Sequence, residues 1–143
     1  MATKPRIVID TNVIVAGLRS KQGWSYVLLS RIGDGTFDHC VSMPLLYEYE
    51  DVLKRMAVPL GLEFAAIDTL LNLWCDTGRK TLIYFQVAST SPDPGDTKVL
   101  ESAFAAQADF IVTFNKRHFP DAERFGIKLV TPHELLAEIG TAS

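Results

Sequence analysis

The sequence predicts an α/β sandwich with a largely parallel central sheet. Short apolar segments rich in β-branched residues alternate along the chain with segments whose apolar residues recur at helical spacing. Strands that alternate with helices are typical of a parallel sheet covered by helices. The chain has 143 residues, which is close to the usual size of one domain, so we expect a single domain over residues 1–143.

The strands are predicted from their apolar, β-branched composition. The first covers residues 5–10, where Ile7, Val8 and Ile9 form a continuous β-branched run that suits a strand buried on both faces. Further strands are predicted over 37–42, 110–113 and 127–130, and residues 81–87 read as a strand or an extended edge segment. Asp10 therefore stands at the carboxyl end of the first strand.

The helices are predicted from apolar spacing and from the residues that bound them. Ser25 can cap a helix over 26–32, Pro44 lies in the first turn of the next, and Thr131 can cap the last. Gly17 and Gly23 predict a broken or loop-like start to the helical segment that follows Asp10. The remaining helices are predicted over 43–56, 64–74, 96–106 and 132–139.

Composition and charge are those of an ordinary globular protein. The net charge of −3 argues against a strongly basic surface that binds DNA without specificity, although an enzyme acting on nucleic acid needs only local cations. No apolar run reaches the roughly 18 residues of a membrane span, and Asp10 interrupts the first apolar run before a signal peptide could form. We therefore expect a cytoplasmic protein without a membrane partner. Cys40 and Cys75 are expected to be free buried thiols.

Three acids stand near the expected carboxyl edge of the sheet. Asp10 ends the first strand, Glu48 lies on the helix after the second strand, and Asp96 begins a helix that packs on the sheet. Ligands of parallel sheets bind outside the carboxyl ends of the strands. Asp93 lies three residues before Asp96, and Asn115 follows the strand over 110–113.

Carboxylates in this arrangement suit a hard divalent cation, Mg²⁺ or Mn²⁺. Two carboxylates about 4 Å apart repel by roughly 4 kcal/mol at an effective dielectric constant of 20, so convergence requires a cation or a proton. Such a metal would activate a water and neutralise charge on a phosphoryl oxygen. The histidines, His39, His118 and His133, are dispersed and lack the spacing of a zinc site.

Polar and basic neighbours could support this chemistry. Hydrogen bonds from Thr11, Asn12, Thr113 and Asn115 could position water, metal or phosphate. Phosphates could be held by Lys116 and Arg117, or by Arg19 and Lys21.

Each acid also has an ordinary structural interpretation. Asp10 and Asp96 could be helix caps, Asp93 a turn residue, and Glu48 a surface residue paired with Arg55 or a neighbouring lysine.

Four segments in order, IVIDTNVIVAGL, LLYEYEDVL, DPGDTKVLESAFAAQADFIVTFNKRHF and VTPHELL, resemble the PIN domain family. The resemblance runs over about residues 6–139 and is strongest to the toxin components of toxin–antitoxin systems, the VapC-like ribonucleases. It implies a three-layer α/β/α fold and a metal-dependent ribonuclease whose acids match Asp10, Glu48 and Asp96. Asn115 stands where the family often has a fourth acid, so the number of metals stays open.

The resemblance also implies an RNA substrate, a protein antitoxin that blocks the cleft, and a homodimer. The uncharged Asn115 keeps an alternative open, a catalytically weak or inactive PIN-fold module that binds RNA or protein. A phosphatase of the haloacid-dehalogenase type would need an aspartate two residues after Asp10, where Asn12 stands. A receiver-like domain would need adjacent acids after the first strand and an acceptor aspartate ending a central strand, and the sequence has neither.

Overall fold

The fold is a three-layer α/β/α sandwich around an all-parallel sheet, as seen in a computed structural model that describes residues 4–82 and 94–140. Within these residues the sheet has five strands in the spatial order β3-β2-β1-β4-β5. The strands are β1 (Arg6–Ile9), β2 (Asp38–Val41), β3 (Arg79–Lys80), β4 (Phe110–Val112) and β5 (Lys128–Val130). The predicted fold class and the parallel sheet are confirmed.

Seven helices flank the sheet within the described part of the chain. They are α1 (Thr11–Arg19), α2 (Trp24–Ser30), α3 (Met43–Arg55), α4 (Ala57–Leu60), α5 (Phe64–Thr77), α6 (Pro94–Ala106) and α7 (Pro132–Glu138). Two 3₁₀ turns, Lys116–His118 and Ala122–Phe125, connect β4 to β5. Helix α3 packs against α1, α5 and α6, and α6 also lies on β1, so these helices surround the carboxyl end of the central strand.

The central strand is buried because β2 and β4 pair with its two edges and helices cover the faces of the sheet. Ile7 and Val8 are fully buried, and Ile9 pairs with Val112 at the carboxyl end. The paired residue, Val112, is also fully buried. A strand without water on either face needs apolar residues at consecutive positions. The continuous β-branched run in the sequence therefore identified this strand.

The prediction of a broken or loop-like start to the helical segment after Asp10 is wrong. Helix α1 is continuous from Thr11 to Arg19 and contains Gly17. A Cβ atom at Gly17 would lie 2.5 Å from Leu29 Cδ1, so the glycine allows α1 and α2 to approach closely. The prediction that Ser25 caps α2 is also wrong. Gly23 occupies the N-cap position, and Ser25 is buried inside the helix.

The other helix boundaries largely follow their caps. The Ser42 hydroxyl accepts a hydrogen bond from the Leu45 N–H at the start of α3, and Thr131 forms a capping box with Glu134 at the start of α7. Helix α5 continues to Thr77, three residues beyond its predicted end. Helix α6 begins at Pro94, two residues before Asp96.

The edge strand lies earlier than predicted. Strand β3 covers Arg79–Lys80, residues 81–82 are not in a strand, and 83–87 lie outside the described residues. Both cysteines are free thiols as predicted; Cys40 is buried, whereas Cys75 is only half-buried. None of the described helices is long and apolar enough to cross a membrane.

Candidate active site

Asp10 is delivered to the carboxyl edge of the sheet by β1. Its backbone N–H donates to Val112 O at 2.9 Å, which extends the pairing of β1 with β4 by one residue. Asp10 occupies the N-cap position of α1, but its side chain does not cap that helix. The carboxylate is only 6% exposed. The simple capping interpretation of this aspartate therefore does not account for its side chain.

Thr113 holds the Asp10 carboxylate from the neighbouring strand. The fully buried Thr113 Oγ1 donates to Asp10 Oδ2 at 2.8 Å. The same oxygen accepts the backbone N–H of Asn115 at 2.9 Å, which orients the hydroxyl hydrogen towards the aspartate. The predicted supporting role of Thr113 thus has a definite contact.

Burial raises the pKa of Asp10 from 3.8 to about 6. The hydrogen bond from Thr113 opposes this rise, and the nearby charge of Asp96 adds to it. Asp10 and Asp96 are 86 positions apart in the sequence, but in the fold they lie close enough for the charge of one to raise the pKa of the other.

Asp96 enters the same region from the first turn of α6 and is 5% exposed. A carboxylate in the first turn is favoured by the positive end of the helix dipole. Its Oδ2 lies 3.2 Å from Nδ1 of His118, which is on the 3₁₀ turn after β4. Asp96 therefore contacts a residue from a different element, as well as lying in the first turn of its own helix.

Glu48 projects from α3 and is partly buried. Its Oε2 lies 3.4 Å from Nζ of Lys98 on α6. Arg55, one of the partners considered from the sequence, instead pairs with Asp51 at 2.8 Å. Glu48 thus pairs with a lysine, but this lysine lies on another helix and is not a neighbour of Glu48 in the sequence.

The three acids line one cleft of about 360 Å³. Polar lining residues include Thr11, Asn12, Asn115 and His118. Beyond the acids the cleft runs between α1 and α3, with an apolar wall formed by Val15, Ala16, Val52 and Met56 and with Arg19 also on the lining. The cleft therefore combines an acidic end with an apolar extension and one cation.

Comparison with known proteins now identifies the fold family. The sequence profile of the PIN domain family matches residues 6–117, which is most of the chain. The chain belongs to the PIN domain family. No curated protein matches this PIN domain in sequence.

A solved structure shows the same fold. The PIN domain is similar to a chain of the crystal structure of VapBC2 from Rickettsia felis bound to a DNA fragment from their promoter. The TM-score is 0.57 at 12% sequence identity, and the match covers 88% of this chain and 98% of the other. At this identity the likeness extends to the fold.

The basic residues predicted beside the acids are arranged differently in this PIN domain. Lys116 pairs with Glu134 of α7 at 2.8 Å, and Arg117 lines a depression beside the cleft, next to Phe114. Arg19 is the basic residue among these predictions that lines the cleft. Asp93, predicted as a possible further acid, lies outside the described residues.

Two residues at the acids were not recognised from the sequence as contributors to the site. His118 lies three residues after Asn115, and Lys98 lies two residues after Asp96. The spacing of His118 was the available signal, because a three-residue step places two side chains on the same side of a 3₁₀ turn. Lys98 gave no signal, since a single lysine on a predicted helix usually faces solvent.

The donor set suits a hard divalent cation, the cofactor that PIN domains typically bind. The cleft offers carboxylate oxygens from three residues, and the buried Asn12 Oδ1 accepts no hydrogen bond from any described residue. A cation would offset the unpaired amide oxygen, the burial that raises the pKa of Asp10 and the smaller contribution of the Asp96 charge to that rise. Within residues 4–82 and 94–140, however, no three acidic, histidine or cysteine side chains are grouped closely enough to hold one ion. The chemistry of the residues fits such a cation, while Glu48 is engaged by Lys98 and Asp96 by His118.

Proposed function

We propose that this PIN domain is a Mg²⁺- or Mn²⁺-dependent endoribonuclease, the toxin of a toxin–antitoxin pair. The observation that carries the proposal is that Asp10, Glu48 and Asp96 line one cleft at the carboxyl end of a parallel sheet in a PIN fold. Family membership alone makes nuclease activity plausible. The presence of acids from three separate elements on the lining of this one cleft supplies the reason to propose it for this chain.

The acids and Asn12 are the residues that would hold the cation. When bound, the cation would supply charge neutralisation at a phosphoryl oxygen and a lowered pKa for an attacking water. The chain's own contribution is orientation: Thr113 fixes the Asp10 carboxylate, and the Asn115 backbone fixes the Thr113 hydroxyl. Because Asn115 carries no charge, the acids that would act are Asp10, Glu48 and Asp96.

The apolar part of the cleft suits the path of an RNA strand away from the acids. Thr11, Val15 and Arg19 recur every four residues on α1, and Glu48, Val52 and Met56 recur in the same way on α3 and its C-cap. Each such step advances about 6 Å along a helix, so both rows lead away from the carboxylates. An apolar wall can contact the face of a base, and the Arg19 guanidinium can hold a phosphate. This arrangement supports an RNA substrate without a strongly basic surface.

The antitoxin and the homodimer belong to the same proposal. They rest on the resemblance of the motifs to toxin components and on the fold shared with a chain of the VapBC2 structure. An acidic cleft with an apolar extension can also accept a basic and apolar segment of a protein inhibitor. Size-exclusion chromatography with light scattering measures whether the isolated chain is a dimer.

A cleavage assay tests the proposed activity. The purified chain is incubated with labelled RNA and Mn²⁺ or Mg²⁺ beside Asp10→Asn and Asp96→Asn, and we expect cation-dependent cleavage to fall by about 100-fold or more in both variants. Asp51→Asn is the matched control, because Asp51 is an exposed acid paired with Arg55 outside the cleft. Equal cleavage by the wild type and both cleft variants would sink the site assignment.

A PIN-fold binding module is the second candidate, and the uncharged Asn115 is the observation that favours it. Filter binding of the same labelled RNA distinguishes the two functions. Binding without cleavage in either cation, unaffected by Asp96→Asn, would support the module and contradict the nuclease.

A further inference from the structure

A continuous series of hydrogen bonds and one histidine–carboxylate contact joins the two buried acids of the cleft. Asp10 Oδ2 accepts from Thr113 Oγ1 at 2.8 Å, and Thr113 Oγ1 accepts from the Asn115 N–H at 2.9 Å. Asn115 O accepts the His118 N–H at 2.9 Å, and His118 Nδ1 lies 3.2 Å from Asp96 Oδ2. The series starts at one carboxylate and ends at the other.

The 3₁₀ turn that carries His118 is anchored on both sides. Thr113 is fully buried before the turn, and Phe119 is buried directly after it. The Phe119 N–H donates to Lys116 O at 3.1 Å, which closes the turn. His118 itself is about half exposed, whereas the carboxylate that it contacts is 7% exposed. The backbone of His118 is thus held by the core while its imidazole meets a buried acid.

We propose that His118 is a positioning residue, whose Nδ1–H donates to Asp96 and sets the position of that carboxylate relative to Asp10. This inference rests on the proposed cation site, because a fixed spacing of the two acids matters most when both bind one ion. Hydrogen-bond partners of metal-binding carboxylates change metal affinity by about 10- to 100-fold when they are removed. His118 would act through its contact with Asp96 and not by contacting the RNA.

The contact differs from an ordinary surface ion pair in the burial of its acceptor. An exposed pair such as Arg55 with Asp51 joins two solvated side chains and contributes little to stability. Asp96 has most of its surface removed from water, so a donor aimed at its oxygen restricts the carboxylate more strongly. A neighbouring residue of the same turn, Arg117, is not among the residues that line the cleft and provides a natural control.

Titration calorimetry of the full chain with Mn²⁺ and Mg²⁺ tests the proposal in His118→Ala and His118→Asn, with Arg117→Ala as the matched control. We expect His118→Ala to weaken binding of both cations by the same factor, about 10-fold or more. His118→Asn should recover most of the affinity, because the asparagine Nδ2 stands close to the place of the histidine Nδ1 and can donate the same bond. Arg117→Ala should bind as the wild type does.

Three results would overturn the proposal. Unchanged or tighter cation binding in His118→Ala would show that the contact does not organise the acids. A loss confined to Mn²⁺ would make the imidazole a direct ligand, since imidazole nitrogen suits Mn²⁺ better than Mg²⁺. Failure of His118→Asn to recover any affinity, with unchanged melting, would mean that the donated bond is not what matters.

A spectroscopic readout without any cation separates this inference from the proposed function. In ¹⁵N NMR spectra of the metal-free chain we expect the tautomer of His118 that carries its hydrogen on Nδ1. The preference for this tautomer should be lost in Asp96→Ala. If the wild type binds neither cation and cleaves no RNA, the proposed function fails while this spectrum still decides the contact. A ring without the Nδ1–H preference would overturn the positioning role even in an active ribonuclease.

Discussion

The two sides of the cleft hold their acids in different ways. The buried side, formed by Asp10, Asp96 and Thr113, keeps its carboxylates almost entirely out of water. The α3 side presents Glu48 together with Val52 and Met56, all of them only partly buried. A definite hydrogen bond of 2.8 Å holds Asp10, whereas Glu48 has a longer 3.4 Å contact with a lysine.

The free-energy cost of holding charged carboxylates therefore differs between the two sides of the cleft. Burial raises the pKa of Asp10 to about 6, because removing a charge from water disfavours its ionised form. Glu48 keeps contact with solvent and with a flexible cation, so its charge costs less to hold. We therefore expect the buried side to limit the stability of the metal-free protein and the α3 side to adapt when a ligand binds.

Replacing the buried acid should have the largest effect. Between pH 4 and 6 folded Asp10 holds a proton that the unfolded chain releases, so its contribution to stability falls as pH rises to about 6. Asp10→Asn should then raise the free energy of unfolding without metal at pH 8 by on the order of 2–3 kcal/mol. Urea unfolding in EDTA at pH 8 and pH 4.5 measures this, and the gain should shrink at the lower pH.

The same variant should lose the stabilisation that Mn²⁺ gives to the wild type, because one of the proposed ligands has lost its charge. Unchanged unfolding in both conditions would show that Asp10 neither bears a buried charge nor shares a site with Asp96.

Removing the hydroxyl that holds Asp10 should have the next largest effect. Thr113→Val keeps the shape of the buried side chain but removes the bond to Asp10 Oδ2, so the charged form of Asp10 loses its donor. We expect a loss of about 1.5–3 kcal/mol at pH 8 and a smaller loss at pH 4.5, where Asp10 is protonated. Urea unfolding provides the measurement, and Thr113→Ser, which keeps the hydroxyl, is the matched control. Equal losses at both pH values would mean that the packing of the side chain dominates.

Replacing the cation of the apolar extension should have a moderate effect on substrate binding. Arg19→Gln should raise KM for RNA about 5-fold with little change in kcat, since loss of one phosphate contact removes about 1 kcal/mol of binding. Steady-state cleavage at two salt concentrations measures both constants, and Lys21→Gln is the neighbouring control. A fall in kcat with unchanged KM would instead place Arg19 at the reacting phosphate.

The smallest change in stability should come from the α3 side. Glu48→Gln should alter the free energy of unfolding without metal by less than about 0.5 kcal/mol, because a long contact of 3.4 Å to a partly exposed lysine contributes little. The same substitution should weaken Mn²⁺ binding, as followed by calorimetry. A large loss of metal-free stability would erase the distinction between the two sides of the cleft.

Local patterns in the sequence predicted most of the fold. The β-branched run of β1, Pro44 in the first turn of α3 and the cap at Thr131 act within a few neighbouring residues, so they could be recognised without knowing the packing. The continuity of α1 could not be recognised in this way. Gly17 disfavours a helix by its own propensity, but close packing against Leu29 of α2 makes the missing side chain an advantage.

The candidate site divides along the same line. Asp10 could be placed at a strand end from the sequence alone, and the order of the motifs marked Glu48 and Asp96 with it. Their partners were not identified from the sequence, because Lys98 and His118 reach the acids from other elements of the fold. Likewise, only Arg19 among the predicted phosphate contacts lines the cleft, since Lys116 is engaged by Glu134.

By itself, then, the sequence determined the alternation of strands and helices, the family, and the acids that stand at the edge of the sheet. Tertiary structure alone decided which of those acids is buried and which cation or hydroxyl each one contacts. The physical reason is range: periodicity and capping act over a few residues, whereas desolvation and charge pairing depend on atoms that only folding brings together.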